Sequence, residues 1–88
     1  MNRQELHDVL IAALIAVAPD VDPASIDPAA DLADQLDIDS MDFLNIVVAV
    51  HEQTGIDIPE RDYPKLSSLA GAVDYLAAAQ QRGTSAGA

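Results

Sequence analysis

Apolar residues recur at helical spacing in three segments of this chain, and segments rich in proline, aspartate and glycine separate them. In the first segment, for example, Leu6, Leu10 and Leu14 fall on one face of a helix. With 88 residues and no cysteine, the chain must fold around one small aliphatic core without disulfides. We therefore predict one all-α domain over residues 1–82 and a disordered tail over residues 83–88.

Local signals place the first helix and the connection that follows it. Asn2 can cap the helix while Glu5 reaches back, and Pro19 ends it. Residues 19–39 then form a connection of unusual length, in which a short helical turn after Pro28 is possible. Three apolar residues are expected to hold this connection against the core: Ile26, Leu32 and Leu36.

The second main helix is predicted to begin at Asp39 or Ser40 and to end near Thr54. Gly55 follows at the position where a left-handed residue commonly ends a helix. The spacing places its apolar residues on two faces about 140° apart. The expected core face contains Phe43, Ile46, Val47, Val50 and Thr54, whereas Met41, Leu44 and Val48 form a second apolar stripe between Asn45 and Glu52. Either the long connection covers this stripe or the stripe is an exposed docking surface.

The remaining segments predict a short helix and a last main helix. Pro59 is predicted to occupy the first position of a short helix, and Pro64 is expected to close this single turn. Ser67 or Ser68 opens the last helix, whose predicted inward residues are Leu69, Ala72, Val73 and Leu76. The predicted fold is thus a bundle of three main helices and one short helix.

The charge distribution excludes several kinds of partner. The net charge is −11, and no lysine or arginine occurs between Gln4 and Glu60. Such a field repels nucleic acid and anionic lipid and attracts basic protein surfaces.

No apolar run reaches the roughly 20 residues that cross a bilayer. The apolar start of the chain has no cleavage signal, so we predict a cytoplasmic protein without a membrane span.

Three aspartates surround Ser40: Asp37, Asp39 and Asp42. Asp39 can cap the second helix together with Asp42, which would leave the Ser40 hydroxyl pointing outward. A hydroxyl at a helix start suits a phosphodiester, because free amide donors and the helix dipole stabilise negative charge there. Covalent modification of Ser40 is therefore one hypothesis.

Two other roles for Ser40 fit the sequence poorly. An EF-hand calcium loop would need a glycine where Asp42 stands and a glutamate where Val48 stands, so no dedicated metal site is predicted. A serine nucleophile needs a base within about 3 Å, yet His51 lies roughly 16 Å further along the same helix. His7 belongs to the first helix, and both histidines are interpreted as solvated surface residues. We predict that the chain is not an enzyme.

The segment LDIDSMDFLNIVVAVHEQTGIDIP resembles the modification segment of acyl carrier proteins. The signature of that family is Asp-Ser-Leu followed by Asp or Glu, and here it reads Asp39-Ser40-Met41-Asp42. GIDIPERDY resembles the family's loop into its short third helix, and LSSLAGAVDYL resembles its fourth. The likeness covers most of residues 32–77, and the combination of these elements at family spacing is specific.

This resemblance implies a four-helix bundle of acyl-carrier type, a carrier domain over residues 1–82. It implies that Ser40 receives 4′-phosphopantetheine from coenzyme A and that the arm carries an acyl or aminoacyl thioester. The implied partners are a phosphopantetheinyl transferase, a loading ligase or acyltransferase, and acyl-processing enzymes; we expect a monomer. The residues expected to recognise them are Asp37, Asp39, Met41, Asp42, Leu44, Asn45, Val48 and Glu52.

The sequence departs from the family pattern at several positions. The usual glycine three residues before the serine is Asp37, and Ile38 is bulkier than the residue often found there. Asn45 and His51 stand where acids are common in carriers of fatty-acid synthesis. These departures favour a specialised, free-standing carrier, and the pathway stays open between fatty-acid, other lipid and secondary metabolism. The alternatives are an aminoacyl- or peptidyl-type carrier and an unmodified acidic interaction module.

Overall fold

The computed structural model describes residues 1–82, and helices form most of this part of the chain. Four α-helices follow one another: α1 (Arg3–Val17), α2 (Leu32–Leu36), α3 (Ser40–Thr54) and α4 (Leu69–Gln81). A 3₁₀ turn at Pro23–Ser25 precedes α2, and a 3₁₀ helix at Glu60–Leu66 joins α3 to α4. The predicted all-α bundle is confirmed. The predicted tail, residues 83–88, lies outside the described residues.

Helix α1 forms the centre of the bundle and packs against both α3 and α4. Its start is the predicted capping box, in which the Asn2 side chain accepts from the Glu5 amide and the Glu5 side chain accepts from the Asn2 amide, each at 2.8 Å. Two contacts hold this end of α1 against α4: an ion pair between Arg3 and Asp74, and a hydrogen bond from the Met1 amino group to the Gln80 side chain. The most fully buried large side chains come from all three long helices: Leu6, Leu14, Val50 and Leu76.

The long connection between α1 and α3 is more ordered than a loop. Ile26 and Leu32 are buried and Leu36 is half-buried, as predicted. Helix α2 confirms the short helical turn expected after Pro28, and long-range bonds hold it. The Leu32 amide donates to the Ser67 carbonyl at 2.7 Å, and the Ala70 amide donates to the Pro28 carbonyl at 2.9 Å. The connection is therefore fixed to the start of α4.

The prediction that Pro64 closes the short helix after Pro59 is wrong. Pro64 lies inside the 3₁₀ helix, which runs seven residues from Glu60 to Leu66, and Pro59 is the residue before it. The fixed φ of proline, near −65°, lies within the range of a 3₁₀ helix, so its ring need not end the element. The buried Leu66 side chain then holds the last turn against the core.

A hydrogen bond between Tyr75 and Asp62 joins α4 to the 3₁₀ helix. The Tyr75 hydroxyl donates to Asp62 Oδ2 at 2.7 Å, and Lys65 Nζ lies 3.5 Å from Asp62 Oδ1. Burial, helped by the bond to Asp62, raises the pKa of Tyr75 to about 12. The same hydrogen bond, helped by the Lys65 charge, lowers the pKa of Asp62 below its ordinary value. Both shifts show that folding favours this bond with the phenol protonated and the carboxylate charged.

Candidate functional site

Ser40 is the first residue of α3, and its side chain is exposed. The capping role belongs to Asp39, whose Oδ1 accepts from the Asp42 amide at 2.9 Å. Asp42 Oδ2 accepts in return from the Asp39 amide at 3.4 Å, which completes a capping box. The Ser40 hydroxyl makes no hydrogen bond to any other residue between 1 and 82. The interpretation that Asp39 caps the helix and leaves this hydroxyl free is confirmed.

The turn that leads into Ser40 contains an unusual backbone conformation. Asp37 ends α2 with φ 55° and ψ 43°, in the left-handed region. Gly55, at the end of α3, is the other residue with positive φ in the described part of the chain. Aspartate tolerates this region better than most residues, and glycine adopts it without steric cost. Asp37 stands where the family usually has glycine, but its left-handed conformation was not predicted from the sequence.

The second apolar face of α3 is exposed. The exposed fractions are 67% for Met41, 42% for Leu44 and 48% for Val48. The long connection does not cover these residues, so the covered-stripe alternative is wrong. The opposite face is the predicted core face, with Ile46, Val47 and Val50 buried and Phe43 and Thr54 half-buried. Helix α3 thus presents an apolar stripe, defined as Met41, Leu44 and Val48, on the same helix as Ser40.

Polar residues border the apolar stripe. Asp42 is half-buried within the capping box. The other predicted recognition residues outside the stripe are exposed: Asp37, Asp39, Asn45 and Glu52. The structure therefore places all eight predicted recognition residues on α3 or in the three residues before it.

The C-terminal end of α3 adds a residue that the sequence analysis did not include in the site. The exposed His51 follows Leu44 and Val48 at helical spacing, and its Nδ1 lies 2.8 Å from the carbonyl oxygen of Ile56. Its ring also lies 3.7 Å from Asp57 Oδ1. The spacing alone could have placed His51 on this face, but its bond to the following loop depends on the turn at Gly55. A groove of about 530 Å³ is lined here by Val47, Val48, His51, Asp57, Ile58, Pro59 and Tyr63.

The geometry of the site suits acceptance of a group and contact with proteins. Among residues 1–82, no three histidine or acidic side chains come close enough together to hold a metal ion. No helix in this part of the chain is long and apolar enough to cross a membrane. The site instead offers a free hydroxyl at a helix N-terminus, where amide groups and the helix dipole stabilise an added phosphate.

Comparison with known proteins shows the family to which the chain belongs. The family model for the phosphopantetheine attachment site matches residues 9–76. The chain belongs to the acyl carrier protein family. An acyl carrier protein of Thermosynechococcus vestitus is 30% identical over 86% of this chain and 93% of its own length. An acyl carrier protein of Acidothermus cellulolyticus is 32% identical over 88% of this chain and 90% of its own.

A longer relative is similar over the same region. Acyl carrier protein 2, mitochondrial, of Arabidopsis thaliana is 36% identical over 92% of this chain, which spans 64% of that protein's length. The family carries covalently attached 4′-phosphopantetheine, so this chain is a phosphopantetheine-carrying acyl carrier and not an enzyme. The unmodified acidic module is not favoured.

Proposed function

We propose that Ser40 is the residue to which the 4′-phosphopantetheine arm is attached. The supporting observation is the free, exposed hydroxyl at the first position of α3. Asp39 already supplies the capping oxygen, so modification of Ser40 would leave the cap of α3 intact. When bound, the arm supplies a terminal thiol that holds an acyl group as a thioester, in a chain that has no cysteine of its own.

The attachment step uses coenzyme A. The Ser40 hydroxyl oxygen forms a bond to the phosphorus on the pantetheine side of the pyrophosphate. The pyrophosphate bond breaks, adenosine 3′,5′-bisphosphate leaves, and the hydroxyl proton passes to a base of the transferase. The amide groups at the start of α3 favour the phosphodiester charge that results. Among residues 1–82 no side chain is hydrogen-bonded to the Ser40 hydroxyl to take its proton, so the proposed catalysis comes from the transferase.

The apolar stripe and its polar border form the proposed partner surface. Met41, Leu44 and Val48 provide apolar contact area, and an acidic border attracts basic surfaces. The proposed partners are a phosphopantetheinyl transferase, a loading ligase or acyltransferase, and acyl-processing enzymes. The border consists of Asp37, Asp39, Asp42, Asn45 and Glu52.

The cargo, pathway and location complete the proposal. The names of the relatives favour an acyl over an aminoacyl cargo. Asp37, Asn45 and His51 support a specialised carrier with dedicated partners. The monomeric state and the cytoplasmic location expected from the sequence stay predictions, which sedimentation and cell fractionation would check.

The direct experiment is enzymatic transfer followed by intact-protein mass spectrometry. The chain is incubated with coenzyme A, Mg²⁺ and a broad-specificity phosphopantetheinyl transferase. We expect the mass of one phosphopantetheine to be added to the wild type and to Ser67→Ala, and no addition to Ser40→Ala. Ser67 is the matched control, because it is an exposed serine directly before the residue that caps α4.

Two outcomes would contradict the proposal. Addition to Ser40→Ala would place the arm on another residue. A folded wild type that gains no mass under conditions in which a second acyl carrier is fully modified would argue for the unmodified interaction module.

A further inference from the structure

The chain is anchored in the core two residues before Ser40. Ile38 is 8% exposed, whereas Asp37, Asp39, Ser40 and Met41 are all exposed. Ile38 is therefore the one buried side chain in the turn between α2 and the first turn of α3. Asp37, directly before it, has the left-handed backbone conformation described above.

A second fixed point follows Ser40. The Asp42 amide donates to Asp39 Oδ1 at 2.9 Å, and the Phe43 amide donates to the Asp39 carbonyl at 2.9 Å. Ser40 therefore lies between an anchor in the core and the first hydrogen bonds of α3. The first turn of a helix frays easily when it lacks such constraints, because its amide groups have no partners within the helix.

We propose that Ile38 is a positioning residue for the transfer of phosphopantetheine to Ser40. This inference rests on the proposed function of Ser40. Ile38 is buried and does not contact coenzyme A; it acts through the backbone of Asp39, which it holds in the geometry that caps α3. The Ser40 hydroxyl is thereby held in one direction relative to the helix while the transferase binds.

The bond that forms is the one described above, between the Ser40 oxygen and a phosphorus of coenzyme A. Group transfer depends strongly on how closely the reacting atoms are aligned, and a displacement of about 1 Å can cost two orders of magnitude in rate. Loss of the Ile38 side chain would let the Ser40 hydroxyl occupy a wider range of positions. It would not remove any group that touches the transferase.

Ile56 provides a matched control for ordinary core packing. It is 4% exposed and lies directly after Gly55, at the opposite end of α3 from Ser40. Truncation of either isoleucine to alanine removes the same atoms from the same core. A role limited to packing predicts equal effects of the two variants on transfer.

The experiment measures transfer to the full chain in the wild type, Ile38→Ala and Ile56→Ala. The carrier concentration is varied at saturating coenzyme A, and intact mass gives kcat and KM for a broad-specificity transferase. We expect Ile38→Ala to lower kcat/KM by about tenfold, with part of the loss in kcat, and Ile56→Ala to change it by less than about twofold. Amide exchange should accelerate at Asp42 and Phe43 in Ile38→Ala and stay unchanged there in Ile56→Ala.

The conservative variants keep the test valid if an alanine variant does not fold. Ile38→Val is then compared with Ile56→Val, and we expect a loss of about two- to threefold in the former alone. Equal kcat/KM values for the paired variants, with the wild type modified normally, would overturn the inference and leave the proposed function intact. Failure of the wild type to accept the arm would instead overturn the proposed function.

Discussion

Asp39 caps α3 and is also proposed to recognise partner proteins, and substitutions can separate these two roles. Its side chain caps α3 through the Asp42 amide, and its charge lies beside Ser40 on the proposed partner surface. Asparagine caps a helix about as well as aspartate but has no charge. Alanine has neither a capping oxygen nor a charge. The two substitutions therefore distinguish capping from recognition.

We expect Asp39→Asn to keep the free energy of unfolding within about 0.5 kcal/mol of the wild type, and Asp39→Ala to lower it by about 1 kcal/mol. Both variants should show a lower kcat/KM for phosphopantetheine transfer at low salt, with a difference that shrinks as salt screens the interaction. Urea denaturation and transfer kinetics are the measurements. Normal transfer to Asp39→Asn at every salt concentration would remove Asp39 from the recognition surface.

The two left-handed residues, Asp37 and Gly55, should respond to substitution in opposite ways. A Cβ at Gly55 would meet no atom within 4 Å, so Gly55→Ala tests the backbone alone and should cost about 1 kcal/mol of stability. Asp37→Gly relieves the left-handed side chain and should stabilise the chain by about 0.5 kcal/mol after the entropy cost of glycine. Thermal unfolding measures both, and a stabilising Gly55→Ala would contradict the observed φ of 72°.

The ends of α3 could be predicted from sequence because local signals set them. Asp39 and Asp42 form the capping box at one end, and Gly55 adopts the left-handed conformation at the other. Helix α2 could be predicted only as a possible turn, because distant partners such as the Ser67 carbonyl hold it. The prediction that the short helix ends at Pro64 was wrong because a tertiary contact decides its length. The helix continues to Leu66, whose side chain is buried in the core.

At the scale of elements, the Tyr75–Asp62 bond makes the contact between α4 and the 3₁₀ helix depend on pH. The Asp62 pKa is lowered by folding, so its contribution to stability exists above the ordinary value near 4 and is lost as the pH falls through the folded value. The Tyr75 pKa is raised to about 12, so its contribution exists below the ordinary value near 10 and is lost at higher pH.

Tyr75→Phe removes this bond and should lower the melting temperature at pH 7 by a few degrees. The difference from the wild type should shrink below about pH 4 and again above about pH 10. Thermal unfolding across this range is the measurement. Tyr63→Phe is the control, because it keeps the edge-to-face ring contact with Phe43 and leaves the Asp62 bond in place. A difference that stayed constant with pH would show that lost packing, and not the hydrogen bond, causes the effect.

For the whole molecule, the dominant electrostatic feature is the imbalance of 15 acidic residues against four basic ones. Arg3 pairs with Asp74 and Lys65 with Asp62, so in the described chain most carboxylates lack a basic partner. The charge proposed to attract basic partners is therefore also expected to destabilise the compact state through mutual repulsion.

Added salt should accordingly raise the melting temperature by several degrees, because it screens this repulsion. We expect Mg²⁺ to act more strongly than NaCl at equal ionic strength. Differential scanning calorimetry checks both effects. The two salts are compared at matched ionic strength, so a difference between them reflects the divalent cation and not general screening. A melting temperature that fell with either salt would show that repulsion does not limit stability.

Attachment of the arm to Ser40 can be tested directly by locating the added group within the chain. The holo protein, prepared with coenzyme A and a transferase, is fragmented in the mass spectrometer so that each serine is resolved. We expect the whole mass of one phosphopantetheine on the fragment ions that contain Ser40. Added mass on Ser25, Ser67, Ser68 or Ser85 with Ser40 unmodified would contradict it.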